Sequence, residues 1–368
     1  MKILYTNFHP RGSGGHAPYI INLVRSFLED HEITLATPGT SRLFALASQI
    51  RGVRCVDMSY STRLWPMVAE FLRLRRLLRK ENFDIVHVNG AADHRLAMLA
   101  RLGLHRAPRI IWTKHNTKPV ASFGNRIRAR FGTDGAIGVC DFVSRQLRAS
   151  PYGRLPIRTI RLGVDTDHFL PPAPQAVAQA RREFLGELPE DVLVLGSVGG
   201  TDREKGWFFL VQAAARLPLA RRMRLRLLIA GDPPAESLQR EVQGLGMEEI
   251  VVFPGQVADP RRVLAASHMS FVFSLHEAGS YAVCESLAMG LPTLVSDAGG
   301  LPELVRHGID GWVVSTGDVD AVHAWLLERL DTTVQSDIAK SARARALALF
   351  SMPVFARQTM DFYREVCA

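Results

Sequence analysis

Short apolar runs recur along the chain, each followed by a longer segment in which apolar positions return every three or four residues. In the first half, Ile3 to Tyr5, Glu32 to Ala36, Ile85 to Val88 and Ile110 to Thr113 have strand character. In the second half, Val192 to Val198, Leu225 to Ala230, Val251 to Phe253, Met269 to Phe273 and Thr293 to Val295 repeat the pattern, each leading through a Gly, Pro or polar turn into a helical period. Apolar strands alternating with helices predict parallel sheets covered on both faces. The expected fold class is α/β, with two doubly wound, Rossmann-like domains facing across a cleft. Pro171, Pro172 and Pro174 can neither continue a helix nor donate to a sheet, which marks the stretch from Gly163 to about Gln175 as the linker. The expected division is 1–163, an acceptor-binding domain, 164–350, a nucleotide-sugar domain, and a tail over 351–368. The tail belongs to a helical pattern from Ala339 to Cys367 beyond the last strand candidate, and it is expected to pack back on the first domain.

Composition narrows the class. A chain of 368 residues, 47% hydrophobic and 22% charged, is neither disordered nor fibrous and is long enough for two cores. No stretch reaches the roughly eighteen apolar residues of a spanning helix, and MKILYTNFHP reads as a strand rather than an export signal. Cys55, Cys140, Cys284 and Cys367 lie far apart without CxxC spacing, against a disulfide framework or structural zinc. The expected location is the cytoplasm. Charge is uneven: residues 1–163 hold 26 Lys and Arg against 10 Asp and Glu, a net +16, while the remainder hold 19 against 26, a net −7. A polyanionic partner is therefore expected to meet the first half.

Ligands of open α/β sheets sit beyond the carboxyl ends of the strands, so chemistry belongs in the turns that follow them. After Phe273 come Glu277 and Glu285, eight residues apart, with Gly279, Ser280 and Tyr281 at the start of an apolar helix. A small-residue turn feeding a helix N-terminus offers backbone N–H groups and a positive dipole end to a phosphate. Ser280 reads equally well as a plain helix cap. After Val198 comes Gly199-Gly200-Thr201-Asp202-Arg203-Glu204-Lys205-Gly206, where a lysine at a helix start can reach a diphosphate as a point charge. Downstream lies Gly299-Gly300-Leu301-Pro302-Glu303.

This ordered set resembles the retaining, metal-independent glycosyltransferases of the glycogen-synthase-like group called family four, which have the GT-B fold. Glu277 and Glu285 match its Glu, seven residues, Glu; Lys205-Gly206 its Lys-Gly; Gly299 to Glu303 its Gly-Gly-x-Pro-Glu. The resemblance implies that Glu285 meets the ribose hydroxyls, Glu277 the donor sugar and Lys205 the diphosphate, with Glu277 and Lys205 counted as catalytic. It implies donor contacts at Gly279, Ser280 and Tyr281 as well. Where the family often has an arginine this chain has Gly200, and Arg203 is expected to supply that charge. Gly279-Ser280 stands for the family's aromatic-glycine, and Leu162 for the Asn before its Gly-Val-Asp. In the first half, Gly12-Ser13-Gly14-Gly15-His16 is similar to the family's glycine loop, which places Gly15 near the donor. Thr113-Lys114-His115 matches Thr-x-His, making His115 a catalytic candidate; His87 reads as a buried supporting residue.

The activity implied is transfer of a hexose-type sugar from a nucleotide-diphosphate sugar to a hydroxyl of a lipid-linked or cell-envelope glycan, with no cofactor and no metal. Asp165-Thr166-Asp167 has the spacing of a metal-diphosphate chelate but falls in the linker. Two basic stretches, Arg63 to Lys80 and Phe123 to Phe131, interleave apolar residues with cations. The second, read as a loop containing Arg126, Arg128 and Arg130, is the expected contact with an anionic membrane surface, on the inner face of the plasma membrane. A sugar-nucleotide epimerase of related architecture is the alternative, distinguished by incubation with donor alone. A nucleic-acid partner is not expected, for want of RNA-binding or zinc-finger signatures, and Gly12-x-Gly14-Gly15 does not complete a dehydrogenase fingerprint.

Overall fold

The computed structural model describes residues 1–9, 15–332 and 336–368 and divides into two compact units, Met1–Gly163 with Met352–Ala368, and Val164–Ser351. Unit 1 holds seven parallel strands: β1 (Lys2–Thr6), β2 (Glu32–Thr37), β3 (Arg54–Asp57), β4 (Ile85–Val88), β5 (Arg109–Lys114), β6 (Gly135–Gly138) and β7 (Ile157–Thr159). Their order across the sheet is β3-β2-β1-β4-β5-β6-β7. Unit 2 holds β8 (Leu193–Ser197), β9 (Leu225–Ile229), β10 (Val251–Val252), β11 (Met269–Val272), β12 (Thr293–Ser296) and β13 (Gly311–Val314), ordered β10-β9-β8-β11-β12-β13. In each sheet the order reverses beside the first strand, at β1/β4 and at β8/β11, and a crevice opens at such a point.

The apolar runs become strands because both sheet faces are covered. In β8, Val194 faces one core with Val272, Val283 and Leu287, while Leu193 and Leu195 face the other with Leu210, Leu227 and Phe271. Four strands lie outside the runs that the hydrophobic pattern marks. β3 and β7 are sheet edges carrying Arg54, Asp57 and Arg158, β6 is Gly-Ala-Ile-Gly, and β13 follows a Gly-Ile-Asp-Gly turn. Pro174 opens helix Pro174–Leu185 at its first turn, where its missing N–H costs nothing, so the irregular segment ends there.

The helical pattern at the chain end is two helices. Ser336–Leu349 buries Ala342 and Ala346 in unit 2, whereas Met352–Cys367 buries Phe355, Met360, Phe362 and Tyr363 in unit 1. Between them, Phe350 O accepts from Val164 N at 2.7 Å. The stretch expected as a loop at 122–131 is the helix Phe123–Phe131, capped by Ser122. Its Arg128 is half-buried against Asn125 Oδ1, leaving Arg126 and Arg130 as its exposed cations. Among the described residues, no helix is long and apolar enough to cross a membrane.

Candidate active site

Three turns of unit 2 are stitched together at the strand ends. The turn after β8 approaches the end of β11 at Gly206, whose φ is +68° and whose Cβ, if present, would lie 2.0 Å from Phe273 O. Only glycine allows that approach. Leu275 N then donates to Glu204 O at 2.9 Å, and Gly300 N, after β12, donates to Glu277 O at 2.9 Å. The result sets Lys205 Nζ 3.3 Å from Glu277 Oε2, which also accepts from Ser274 Oγ at 3.3 Å. The two side chains are 36% and 19% exposed, so the pair can be reached from solvent.

Gly200 has φ +95°, a backbone that side chains rarely adopt, although space around it is open. The chain's lack of an arginine there has that backbone as its counterpart. Arg203 is turned to Glu241, with bidentate contacts of 3.2 and 2.7 Å, and does not join the Lys205–Glu277 pair.

Helix Tyr281–Ala288 starts at Ser280, whose Oγ accepts from Val283 N at 3.4 Å; Ser280 thus caps the helix, with Gly279 and Tyr281 half-buried on either side. One turn on, the Glu285 carboxyl is half-buried and has no hydrogen-bond or ion-pair partner among the described residues. Burial pushes it up to about 8, because the charged form is kept from water with nothing to replace the lost hydration. A carboxyl in that state is ready to accept from a ligand that brings its own hydroxyl donors.

Unit 1 presents a second cluster, around His115 after β5. His115 Nε2 lies 2.9 Å from Asn89 Oδ1, in the turn after β4. Asn89 is in turn fixed by its Nδ2 donating to Thr6 O at 3.1 Å and its backbone N donating to buried Asp93 Oδ2 at 2.9 Å. The His115 ring stacks on His16 at 4.2 Å and meets the edge of Tyr19 at 4.7 Å, while His9 lies 4.5 Å beyond His16. Burial, reinforced by the neighbouring imidazoles, holds His115 well below the usual histidine range and His16 down to about 4. His87 is fully buried, bonded to Tyr363 and, at 2.6 Å, to Thr113 Oγ1. Gly15 precedes helix His16–Phe27; Gly12, Ser13 and Gly14 lie outside the described residues.

Lys114, nearly buried, donates to Asn116 O at 2.7 Å and Lys118 O at 2.6 Å, shaping the turn that carries His115. Burial pulls it down to about 8. Asn89, Asp93, His9 and the structural role of Lys114 escaped the motif reading. Asn89 directly follows a strand, the one signal that could have flagged it. Among the described residues, no three His, Cys, Asp or Glu side chains are grouped to hold a metal ion.

Two family descriptions match the chain: Glycosyltransferase Family 4 over residues 13–168 and Glycosyl transferases group 1 over residues 190–331. A GDP-mannose-dependent alpha-(1-6)-phosphatidylinositol monomannoside mannosyltransferase of Mycolicibacterium smegmatis is 31% identical, over 87% of this chain and 86% of its own. N-acetyl-alpha-D-glucosaminyl L-malate synthase of Bacillus anthracis is 24% identical over 91% and 90%. Among solved structures, a glycosyltransferase from Rickettsia africae superposes with a TM-score of 0.86 at 19% identity, covering 99% of this chain and 98% of that one. An Anabaena protein solved in complex with UDP gives 0.84 at 18%, over 99% and 100%.

Proposed function

This chain belongs to the group 1 glycosyltransferases, with the GT-B fold, and takes a sugar from a nucleotide sugar; on that premise we propose that it retains configuration, moves a hexose, works without a metal and delivers to a hydroxyl of a lipid-linked or cell-envelope glycan. The observation that carries the donor half is the partnerless, desolvated Glu285 on the helix that follows the turn of the Lys205–Glu277 pair. Glu285 accepts from the two ribose hydroxyls. Lys205 exchanges Glu277 for the diphosphate, and Glu277 turns to the hydroxyls of the donor sugar. Charge gathers on the β-phosphate as the anomeric carbon to oxygen bond breaks, and Lys205 with the helix start at Gly279, Ser280 and Tyr281 stabilises it. Arg203 adds a second cation only by leaving Glu241. Gly15 and His115 are assigned to substrate contacts in unit 1, and the acceptor hydroxyl attacks on the face from which the diphosphate departs. His115 is neutral and supplies a hydrogen bond rather than a charge.

The mannosyltransferase relatives are named for GDP-mannose and a phosphatidylinositol mannoside, which makes these the first donor and acceptor to test. With the right pair, Lys205→Ala is expected to lower turnover about a hundredfold, with folding and EDTA insensitivity unchanged and the product α-configured by NMR. Restoration of chelated enzyme by Mg²⁺ or Mn²⁺, an inverted product, or conversion of donor alone to an epimer would each overturn the corresponding part.

A further inference from the structure

Helix Leu64–Glu81 packs Leu74, Leu77 and Leu78, with Met67 and Phe71 beside them, into unit 1 and turns its opposite face outward. On that outer surface Leu64 is 63% exposed, Trp65 80%, Val68 39% and Leu72 53%. At about 100° per residue these four fall within roughly 100° of one another; toward the helix end Arg79 lies on the same face, with Arg76 and Lys80 along its flank. The helix is about 27 Å long, apolar outside in its first half and cationic in its second. Four exposed large apolar side chains on one helix are not the scattered singles of an ordinary surface.

The cationic half borders a hollow. Between this helix and edge strand β3 lies a groove of about 360 Å³ lined by Arg54, Arg73, Arg76 and Lys80, with Cys55 and Leu77 among its apolar walls. Arg54 pairs with Glu81 at 2.8 Å, and the one acid in the lining, Asp57, accepts from Gly39 N at 2.6 Å. Arg73, Arg76 and Lys80 are exposed and have no ion-pair partner among the described residues. Three unpaired cations round a hollow await an anion, and the apolar stripe beside them awaits a nonpolar phase. One surface offers both: an anionic bilayer, with acyl chains under its phosphates.

We propose that unit 1 docks on anionic membrane through helix Leu64–Glu81, with Leu64, Trp65, Val68 and Leu72 entering the acyl boundary and a lipid phosphate seated in the groove formed by Arg54, Arg73, Arg76 and Lys80. The site lies outside the donor and His115 clusters and does not depend on the identity of donor or acceptor. It also moves the expected membrane contact away from Arg126, Arg128 and Arg130, whose helix exposes two large apolar side chains, Phe123 and Phe131 at its two ends, against the four of Leu64–Glu81.

The full chain is to be sedimented with phosphatidylglycerol–phosphatidylcholine vesicles and with pure phosphatidylcholine, at low and high salt. Trp65 fluorescence is followed in parallel, since Trp207, Trp312 and Trp325 are buried and Trp112 half-buried. Binding confined to anionic vesicles, weakened by salt and accompanied by a blue shift that Trp65→Phe removes, is expected. At about fivefold per cation, Arg73→Ser/Arg76→Ser/Lys80→Ser should lower partition about a hundredfold, and Trp65→Ser/Leu72→Ser should lower it without changing the charge. Nucleotide affinity by calorimetry stays at the wild-type value in all of them, so failure here is separable from failure of the donor site. Equal binding to neutral vesicles, no binding at low salt, or loss caused instead by Arg126→Ser/Arg130→Ser would overturn the proposal.

Discussion

Glu285 illustrates how a residue becomes informative through what surrounds it. Its carboxyl has its value raised from about 4.5 to about 8 by burial alone, so the unfolded chain releases this proton at lower pH than the folded one. Between those values the folded state binds more protons, and stability falls as pH rises. Glu285→Gln should therefore leave the free protein unchanged near pH 4 and stabilise it by about 1–3 kcal/mol at pH 9. Nucleotide binding should run the other way, since hydroxyls donating to the carboxylate favour its charged form: wild-type affinity should weaken as pH drops below 8, and Glu285→Ala should lose at least about tenfold. Thermal unfolding across pH 4–9 and calorimetry with GDP and UDP check both slopes. A Gln variant with the same pH–stability curve as wild type would show that Glu285 is not desolvated.

At the scale of elements, the turn after β5 is held by the last residue of that strand, one position beyond the run that sequence patterning marks. Lys114 is two per cent exposed and reaches back to the carbonyls of Asn116 and Lys118. Removing its ammonium leaves those carbonyls to find water or move. Lys114→Met should cost about 1–3 kcal/mol, the penalty of buried polar groups losing a charged partner. Because His115 rides on the same turn, catalytic turnover should fall along with stability, while nucleotide affinity, which the proposed function assigns to unit 2, should hold. Calorimetric affinity and turnover measured on the same preparation separate the two. Equal loss in both would place Lys114 in general folding rather than in shaping this turn.

For the whole molecule, the two units should respond unequally to acid. In unit 1, burial holds His16 down to about 4 and His87 and His94 to about 3, all below the unfolded value near 6.5. The unfolded chain then binds more protons from pH 6.5 downward, and unit 1 loses up to about 1.4 kcal/mol per pH unit for each such histidine. In unit 2, the similar loss at His268, held to about 4, is offset by the gain at Glu285 over pH 8 to 4.5. Scanning calorimetry from pH 8 to 4.5 should show one transition falling steeply and the other little, with limited proteolysis assigning the steep one to residues 1–163. Transitions that shift together would contradict this division of the buried imidazoles.

The α/β class, most interior strands, the turns that bear Glu277, Lys205 and His115 and the helix that bears Glu285 were legible from the sequence, because a strand buried on both faces must be apolar throughout and the turn after it must be polar or glycine-rich. The edge strands β3 and β7 were not: half of such a strand faces water, and its alternation is too short to stand out. The break at Phe350 and Ser351 was invisible to a helical period that runs on either side of it. Chain order likewise could not show that Asn89 fixes His115, that Lys114 turns back on its own loop, or that Arg203 is engaged by Glu241, since each pairing joins residues by direction in space. The pattern of Arg63 to Lys80 suited a packed helix and an exposed one alike; only the neighbours decide which face is covered. What a residue is made of limits where it can go, but its pKa, its partner and its exposure are properties of the side chains that surround it.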